Sequence, residues 1–180
     1  MRERSYVCAA PSGADAGKFD FGLTPMEMEA DLFGVLRSGT ITSTADGTGV
    51  SGVTVNLTLN STGTVIASTT TGSSGDYLMT DQAPGEYTLT ASKIRFWSES
   101  ISVTVNVGEF VTANCALWLK GDLNNNGISA DAGDLAMMKD ASVGKITADW
   151  KCDLNTNGMF ADAGDQAMMK DASVGKIELL

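Results

Sequence analysis

Side chains with oxygen donors recur at every second position in two stretches near the C-terminal end of the chain. Residues 122–146 and 153–177 are copies of one 25-residue segment, offset by 31 residues and different at four positions only. In each copy Asp or Asn stands at the first, third and fifth places, and glycine follows at the sixth. Oxygens at this spacing suit a hard cation such as calcium, which takes about six to eight oxygen ligands.

Each copy matches the front half of an EF-hand-type loop, in which the seventh residue contributes its main-chain carbonyl. The back half differs, because the twelfth place holds Gly133 and a carboxylate comes one residue later, as Asp134. We interpret this as a one-residue insertion, after which Asp131 takes the place of the ninth ligand. Asp131 and Asp134 also have the spacing of an N-cap and a third helical residue, so a helix is expected to begin here.

The duplication predicts two calcium ions, one in each copy. The expected donors are Asp122, Asn124, Asn126, the Ile128 carbonyl, Asp131 and Asp134 in the first copy, and Asp153, Asn155, Asn157, the Met159 carbonyl, Asp162 and Asp165 in the second. The alternative is an acidic, Asn- and Gly-rich turn before a helix that binds no metal. Repetition of the whole pattern favours calcium.

Two loop–helix units without entering helices resemble a type I dockerin, here over residues 120–180 and with one extra residue in each loop. The resemblance implies calcium-dependent docking to a cohesin partner through the helices that follow the loops. The family presents a Ser/Thr pair and a basic pair to that partner. The equivalent positions here are Ala132 with Gly133 and Ala163 with Gly164, then Lys139 with Asp140 and Lys170 with Asp171. The calcium residues therefore carry over from the family, and the cohesin-contacting residues do not.

Composition excludes several classes of function. The 180 residues include 22 acids, 12 bases and no histidine, for a formal charge of −10. This balance disfavours nucleic-acid binding, and the lack of histidine excludes histidine-based catalysis and histidine-liganded zinc. The three cysteines allow at most one intrachain disulfide. No segment is long and apolar enough for a membrane span, and the N-terminus has no signal-peptide core. Two Asn-x-Thr sequons, at Asn56 and Asn60, and the calcium loops favour a secreted or cell-surface protein.

Residues 35–119 alternate apolar and polar side chains between Gly- and Asp-rich turns, which predicts a seven-stranded Greek-key β-sandwich. This part resembles the carboxypeptidase-regulatory-like, or transthyretin-like, domain. The matching positions are Gly39, Gly52, Val53, Gly75, Tyr77, Pro84, Gly85 and Tyr87. That resemblance implies an accessory module with no catalytic residues. No linker separates it from the first loop, so we expect the two modules to dock in a fixed way, with Trp118 at the joint.

Residues 1–34 are expected to form an arm. Thr24, Pro25 and Glu27 have the pattern of a helix start, and the alternative is an extended segment that adds a strand to another sheet. The whole chain is thus expected to combine this arm, an all-β sandwich and a small α domain with two calcium loop–helix units. The predicted function is non-catalytic calcium-dependent docking to a cohesin-type partner, with the sandwich as spacer or anchor. The alternative is a surface or filament subunit that self-assembles through the calcium domain.

Overall fold

The computed structural model describes residues 35–80 and 82–180, with side chains from Ser38 onward. The expectations for residues 1–34 lie outside this part. The described residues fall within one compact unit. The sandwich contains eight strands, β1 (Val35–Ser43), β2 (Thr54–Leu59), β3 (Thr64–Thr70), β4 (Asp76–Tyr77), β5 (Gly85–Ser92), β6 (Glu99–Val105), β7 (Phe110–Thr112) and β8 (Cys115–Leu117). None of the helices in the described ranges is both long enough and apolar enough to cross a bilayer.

One sheet has the order β3-β2-β5-β6, with antiparallel pairing throughout. Its inward positions follow the alternation of the sequence, because successive side chains on a strand point to opposite faces. Val55 and Leu57 of β2 and Leu89 of β5 are fully buried, whereas the residues between them are partly exposed. The apolar face of this sheet therefore supplies much of the sandwich core.

In the other sheet β1 lies between β4, which is antiparallel, and the successive parallel strands β7 and β8. The count is eight strands instead of the predicted seven, because the final predicted strand is divided. The Ala113 carbonyl accepts the Tyr77 hydroxyl at 2.6 Å, and the Asn114 side chain accepts the Thr40 amide at 2.8 Å. These side-chain bonds interrupt the ladder that the last predicted strand forms with β1. The predicted strand is therefore divided into β7 and β8.

The C-terminal module, residues 120–180, contains two helices of 11 residues, α1 (Ala132–Ser142) and α2 (Ala163–Ser173). Asp131 and Asp162 are their N-caps, as the spacing predicts, and each helix begins with a capping box. A single 3-10 turn, Trp150–Cys152, precedes the second loop. Met138 and Met169 are fully buried in the core of this module, where they pack against the other apolar residues.

The two modules join without a linker. Segment 95–97 pairs with segment 118–120, since the Trp97 amide donates to the Trp118 carbonyl and the Lys120 amide to the Arg95 carbonyl. All three tryptophans of the chain lie at this joint. The rings of Trp97 and Trp150 meet edge to face at 5.5 Å, and the Lys151 amine lies 4.5 Å from the centre of the Trp118 ring. These contacts hold the sandwich against the C-terminal module.

Candidate metal centre

The first loop folds around the Asp122 carboxylate. Its Oδ1 accepts the Asn126 amide at 3.0 Å and its Oδ2 accepts the Gly127 amide at 2.8 Å. The chain can make this tight return because Gly127 adopts a φ of 86°, a conformation that glycine tolerates far better than residues with a side chain. The glycine at the sixth place therefore has the turn-forming role that its position in the pattern predicts.

The two asparagines also fold their side-chain oxygens inward. Asn124 Oδ1 accepts the Asn126 amide at 3.0 Å, and Asn126 Oδ1 accepts the Ile128 amide at 2.9 Å. A carboxylate or amide oxygen has two acceptor positions. Each of these two amide oxygens, and each oxygen of the Asp122 carboxylate, accepts one hydrogen bond from the described residues, which leaves one acceptor position open. The Ile128 carbonyl accepts no hydrogen bond from the described residues. The front half of the loop thus holds oxygen donors of the kind that calcium takes.

The later carboxylates connect the loop to α1. Asp131 Oδ1 accepts the amides of Gly133 and Asp134 at 2.7 and 3.0 Å, and its Oδ2 accepts the Asn126 side-chain amide at 2.7 Å. Asp134 Oδ1 accepts the amides of Leu123 and Asn124 at 2.8 and 3.1 Å, and its Oδ2 accepts the Asp131 amide at 2.9 Å. Asp134 therefore ties the start of the loop to the start of the helix, and only its Oδ2 retains an acceptor position.

The second loop repeats this arrangement. Asp153 accepts the Asn157 and Gly158 amides at 3.0 and 2.9 Å. The side chains of Asn155 and Asn157 accept the amides two residues ahead at 3.0 and 2.8 Å, the second of these from Met159. Asp162 caps α2, and Asp165 accepts the amides of Asn155 and Asp162 at 3.1 and 3.0 Å. The twelve predicted donors thus lie in two loops, six in each, that share these hydrogen bonds except that the Leu123–Asp134 bond has no counterpart in the second loop.

Three of the loop carboxylates are buried and have no cationic partner among the described residues. Asp122 is 1% exposed, and Asp134 and Asp165 are 0% exposed. The ion pairs of the described residues join Lys145, Lys151 and Lys176 to aspartates outside the loops, so none of them neutralises these carboxylates. Burial raises the pKa of both Asp134 and Asp165. Buried charges are ordinarily paired or bound to a metal, and these loops therefore fit a cation.

The pKa values of the N-cap residues, Asp131 and Asp162, are shifted in the opposite direction. The side-chain hydrogen bond from Asn126 lowers the pKa of Asp131, and the one from Asn157 lowers the pKa of Asp162.

Within residues 35–80 and 82–180, no three His, Cys, Asp or Glu side chains converge into a group that could hold a metal by themselves. The other available oxygens are those of the asparagine side chains and the main chain.

Sequence reasoning missed the contact that Asn125 makes with the sandwich. Asn125 bonds twice to Thr44, at 2.9 and 3.0 Å, although the two residues are 81 positions apart. The only signal in the sequence was that the fourth loop position differs between the copies, with Thr156 in the second.

The free cysteines of the described part, Cys115 and Cys152, form no disulfide with each other and lie in different modules.

A groove of about 320 Å³ lies between the two helices. It is lined by Leu135, Met138 and Lys139 of α1 and by Gln166, Ala167 and Lys170 of α2. Both lysines are exposed, and neither forms an ion pair with another described residue. The groove therefore combines an apolar floor with two unpaired positive charges.

Comparison with known proteins supports the assignment of the sandwich. Residues 38–117 match the carboxypeptidase regulatory-like domain, as the sequence resemblance predicts. A search of curated proteins finds no match. Among solved structures, BcpA, the major pilin subunit of Bacillus cereus, is similar over 49% of this chain and 30% of its own, with 13% identity and a TM-score of 0.43.

Two further solved structures share 23% identity and a TM-score of 0.37 with this chain. The 5-hydroxyisourate hydrolase of Klebsiella pneumoniae is similar over 47% of this chain and 90% of its own. An interface mutant of a type II cohesin–X-dockerin complex from Acetivibrio cellulolyticus is similar over 74% of this chain and 92% of its own. The match with the carboxypeptidase regulatory-like domain covers the sandwich and ends at Leu117, before the first loop begins.

Proposed function

We propose that the C-terminal module binds two calcium ions, one in each loop, and acts as a non-catalytic docking module outside the cell. The observation that carries this proposal is the burial of Asp122, Asp134 and Asp165 with no ion pair to a cationic side chain in the described part of the chain. A bound divalent cation offsets the cost of burying such charges. The donors are carboxylate, amide and carbonyl oxygens, a set that favours calcium over softer metals.

Calcium supplies the positive charge around which each loop closes, and the chain supplies the frame. Asp131 and Asp162 fix the starts of the helices. Asp134 ties the start of α1 to the second and third residues of its loop, and Asp165 ties the start of α2 to the third residue of its loop. Because the helices begin at the loops, calcium binding orders the surface that the helices present. Docking is therefore expected to depend on calcium.

The groove between α1 and α2 is the proposed docking surface. Its floor, which includes Met138 and Ala167, is apolar, and Lys139 and Lys170 place positive charge at its rim. A protein with an apolar ridge flanked by carboxylates would be complementary to it. The resemblance to type I dockerins supports a cohesin-type domain as this partner. The sandwich, fixed at the tryptophan joint, would hold the module at a defined orientation.

Calorimetric titration of the full chain with calcium tests the metal proposal. Two equivalents are expected in the parent, and Asp122→Ala and Asp153→Ala should each lose one. Asp171→Ala, which removes an exposed carboxylate paired with Lys176 outside the loops, is the matched control and should retain both. Binding of no calcium, or loss of binding in the control alone, would contradict the proposal.

Binding to a panel of purified cohesin-type domains, with calcium or with chelator, tests the docking proposal. Lys139→Glu and Lys170→Glu should weaken capture, whereas Lys145→Glu, at an exposed position beyond the groove, should not. Sedimentation analysis of the chain alone, with and without calcium, tests the alternative function, which is self-assembly through the calcium domain. Calcium-dependent growth of oligomers, together with capture by no cohesin-type domain, would favour self-assembly instead.

A further inference from the structure

The sandwich holds the first loop at a residue that is not a predicted metal donor. Thr44, which follows β1, donates from its hydroxyl to Asn125 Oδ1 at 2.9 Å, and Asn125 Nδ2 donates to the Thr44 carbonyl at 3.0 Å. Asn125 occupies the fourth loop position with a φ of 60°. Asparagine tolerates this left-handed conformation, and the paired bonds fix its side chain in one orientation. The conformation of the loop is thus coupled to the turn after β1.

Other contacts restrain the same loop. The Trp118 indole donates to the Asp122 carbonyl at 2.5 Å, and the Ser129 hydroxyl donates to the Lys120 carbonyl at 2.5 Å. Gly127 lies so close to the sandwich that an added Cβ would be 3.6 Å from Ala45 Cβ. These contacts leave the predicted donor oxygens available, and they restrict the conformations of the loop around them.

The second loop has no equivalent restraint among the described residues. Thr156 stands where the first loop has Asn125, is exposed, and makes no side-chain hydrogen bond there. Phe160 replaces Ser129 and is 47% exposed. The two loops therefore share their donor pattern and most of their hydrogen bonds, but within residues 35–80 and 82–180 only the first loop is hydrogen-bonded to the sandwich.

We infer that Thr44 is a positioning residue for the first calcium site and makes it the tighter of the two. This inference rests on the proposed calcium binding. A loop already held near its bound conformation loses less conformational freedom when the ion binds, and this gain appears as affinity. Coupling between sites is reciprocal, so calcium in the first loop stabilises the turn between β1 and β2 by the same factor.

The test is a calcium titration of the full chain followed by nuclear magnetic resonance, with a calcium buffer of known affinity. The Gly127 and Gly158 amides report the loops separately, because each donates to the first carboxylate of its own loop. In the parent, Gly127 should shift at lower free calcium than Gly158. Thr44→Val removes one hydrogen bond to Asn125 without altering the loop sequence, and should weaken the first site about fivefold.

Asn125→Gly removes both bonds and keeps a residue that accepts a positive φ, so the first site should weaken by about thirtyfold. Thr156→Gly is the matched control, since it adds the same backbone freedom at the equivalent position, where the side chain makes no hydrogen bond with a described residue. It should not weaken the second site by more than about twofold. Calcium should also slow amide exchange at Ser43 and Val50 in the parent, and less so in Thr44→Val.

Each outcome separates this inference from the proposed function. If both loops bind calcium and Thr44→Val leaves the first site unchanged, Thr44 does not position the loop and only the inference fails. Equal weakening by Asn125→Gly and Thr156→Gly would also overturn it, because flexibility alone would then explain the effect. If the parent binds no calcium, the proposed function fails and the inference fails with it.

Discussion

Replacing Asp134 with alanine should destabilise the C-terminal module more than replacing its counterpart Asp165. The Asp134 carboxylate accepts three main-chain amides, from Leu123, Asn124 and Asp131. Asp165 accepts two, because the amide that corresponds to Leu123 makes no such bond in the second loop. Both side chains are fully buried, so water does not readily replace the lost acceptor.

Of these bonds, the one from Leu123 is buried and the others are partly buried. A main-chain donor that loses its acceptor in such a position costs about 1–2 kcal/mol. The loss is therefore about 3–6 kcal/mol for Asp134→Ala and about 2–4 kcal/mol for Asp165→Ala. Burial raises the pKa of both carboxyls, and removing a charge that is costly to bury returns part of this loss. The lower end of each range is thus expected. Asp140→Ala is the control and should cost less than about 1 kcal/mol, since its ion pair with Lys145 is exposed.

Urea unfolding of the full chain, followed by far-ultraviolet circular dichroism in chelator, measures these differences. Among the described residues the α-helical signal comes from α1 and α2. From highest to lowest urea concentration, the predicted order of midpoints is Asp140→Ala, Asp165→Ala and Asp134→Ala. A small module has only a few kcal/mol of stability, so the midpoint of Asp134→Ala should lie at a low urea concentration. If Asp134→Ala unfolded at the same urea concentration as Asp140→Ala, the role assigned to the Asp134 carboxylate would be wrong.

Two further predictions concern single residues. Thr156 is β-branched and has a φ of 56°, a strained combination. Thr156→Asn, which copies Asn125, should therefore raise the free energy of unfolding of the C-terminal module by about 1 kcal/mol in the same urea assay. A urea midpoint below that of the parent would contradict strain at this position. Burial, with Glu99 nearby, raises the pKa of the Cys115 thiol to about 11. Its thiolate fraction rises only toward that pH, so iodoacetamide should modify Cys115 at pH 8 about two orders of magnitude more slowly than a free thiol. Peptide mapping measures this rate, and a value within tenfold of the free thiol would refute the shift.

The sequence by itself determined the features that depend on neighbouring residues. The spacing of Asp131 and Asp134 predicted where α1 begins, since a helix cap needs only groups within one turn. The alternation in residues 53–59 predicted which side chains of β2 are buried, because the strand period sets the face of each residue. The placement of glycine at the sixth loop position likewise predicted the turn at Gly127.

Tertiary structure alone decided which distant groups meet. The last predicted strand is divided because Tyr77 and Thr40 reach Ala113 and Asn114, and this depends on how β1 lies beside β4, β7 and β8. The two loops, nearly identical in sequence, differ because one of them lies against Thr44. A local pattern specifies the donors and acceptors that a residue offers. Their partners 36 to 81 positions away are fixed only when the packing of the whole chain brings them within hydrogen-bonding distance.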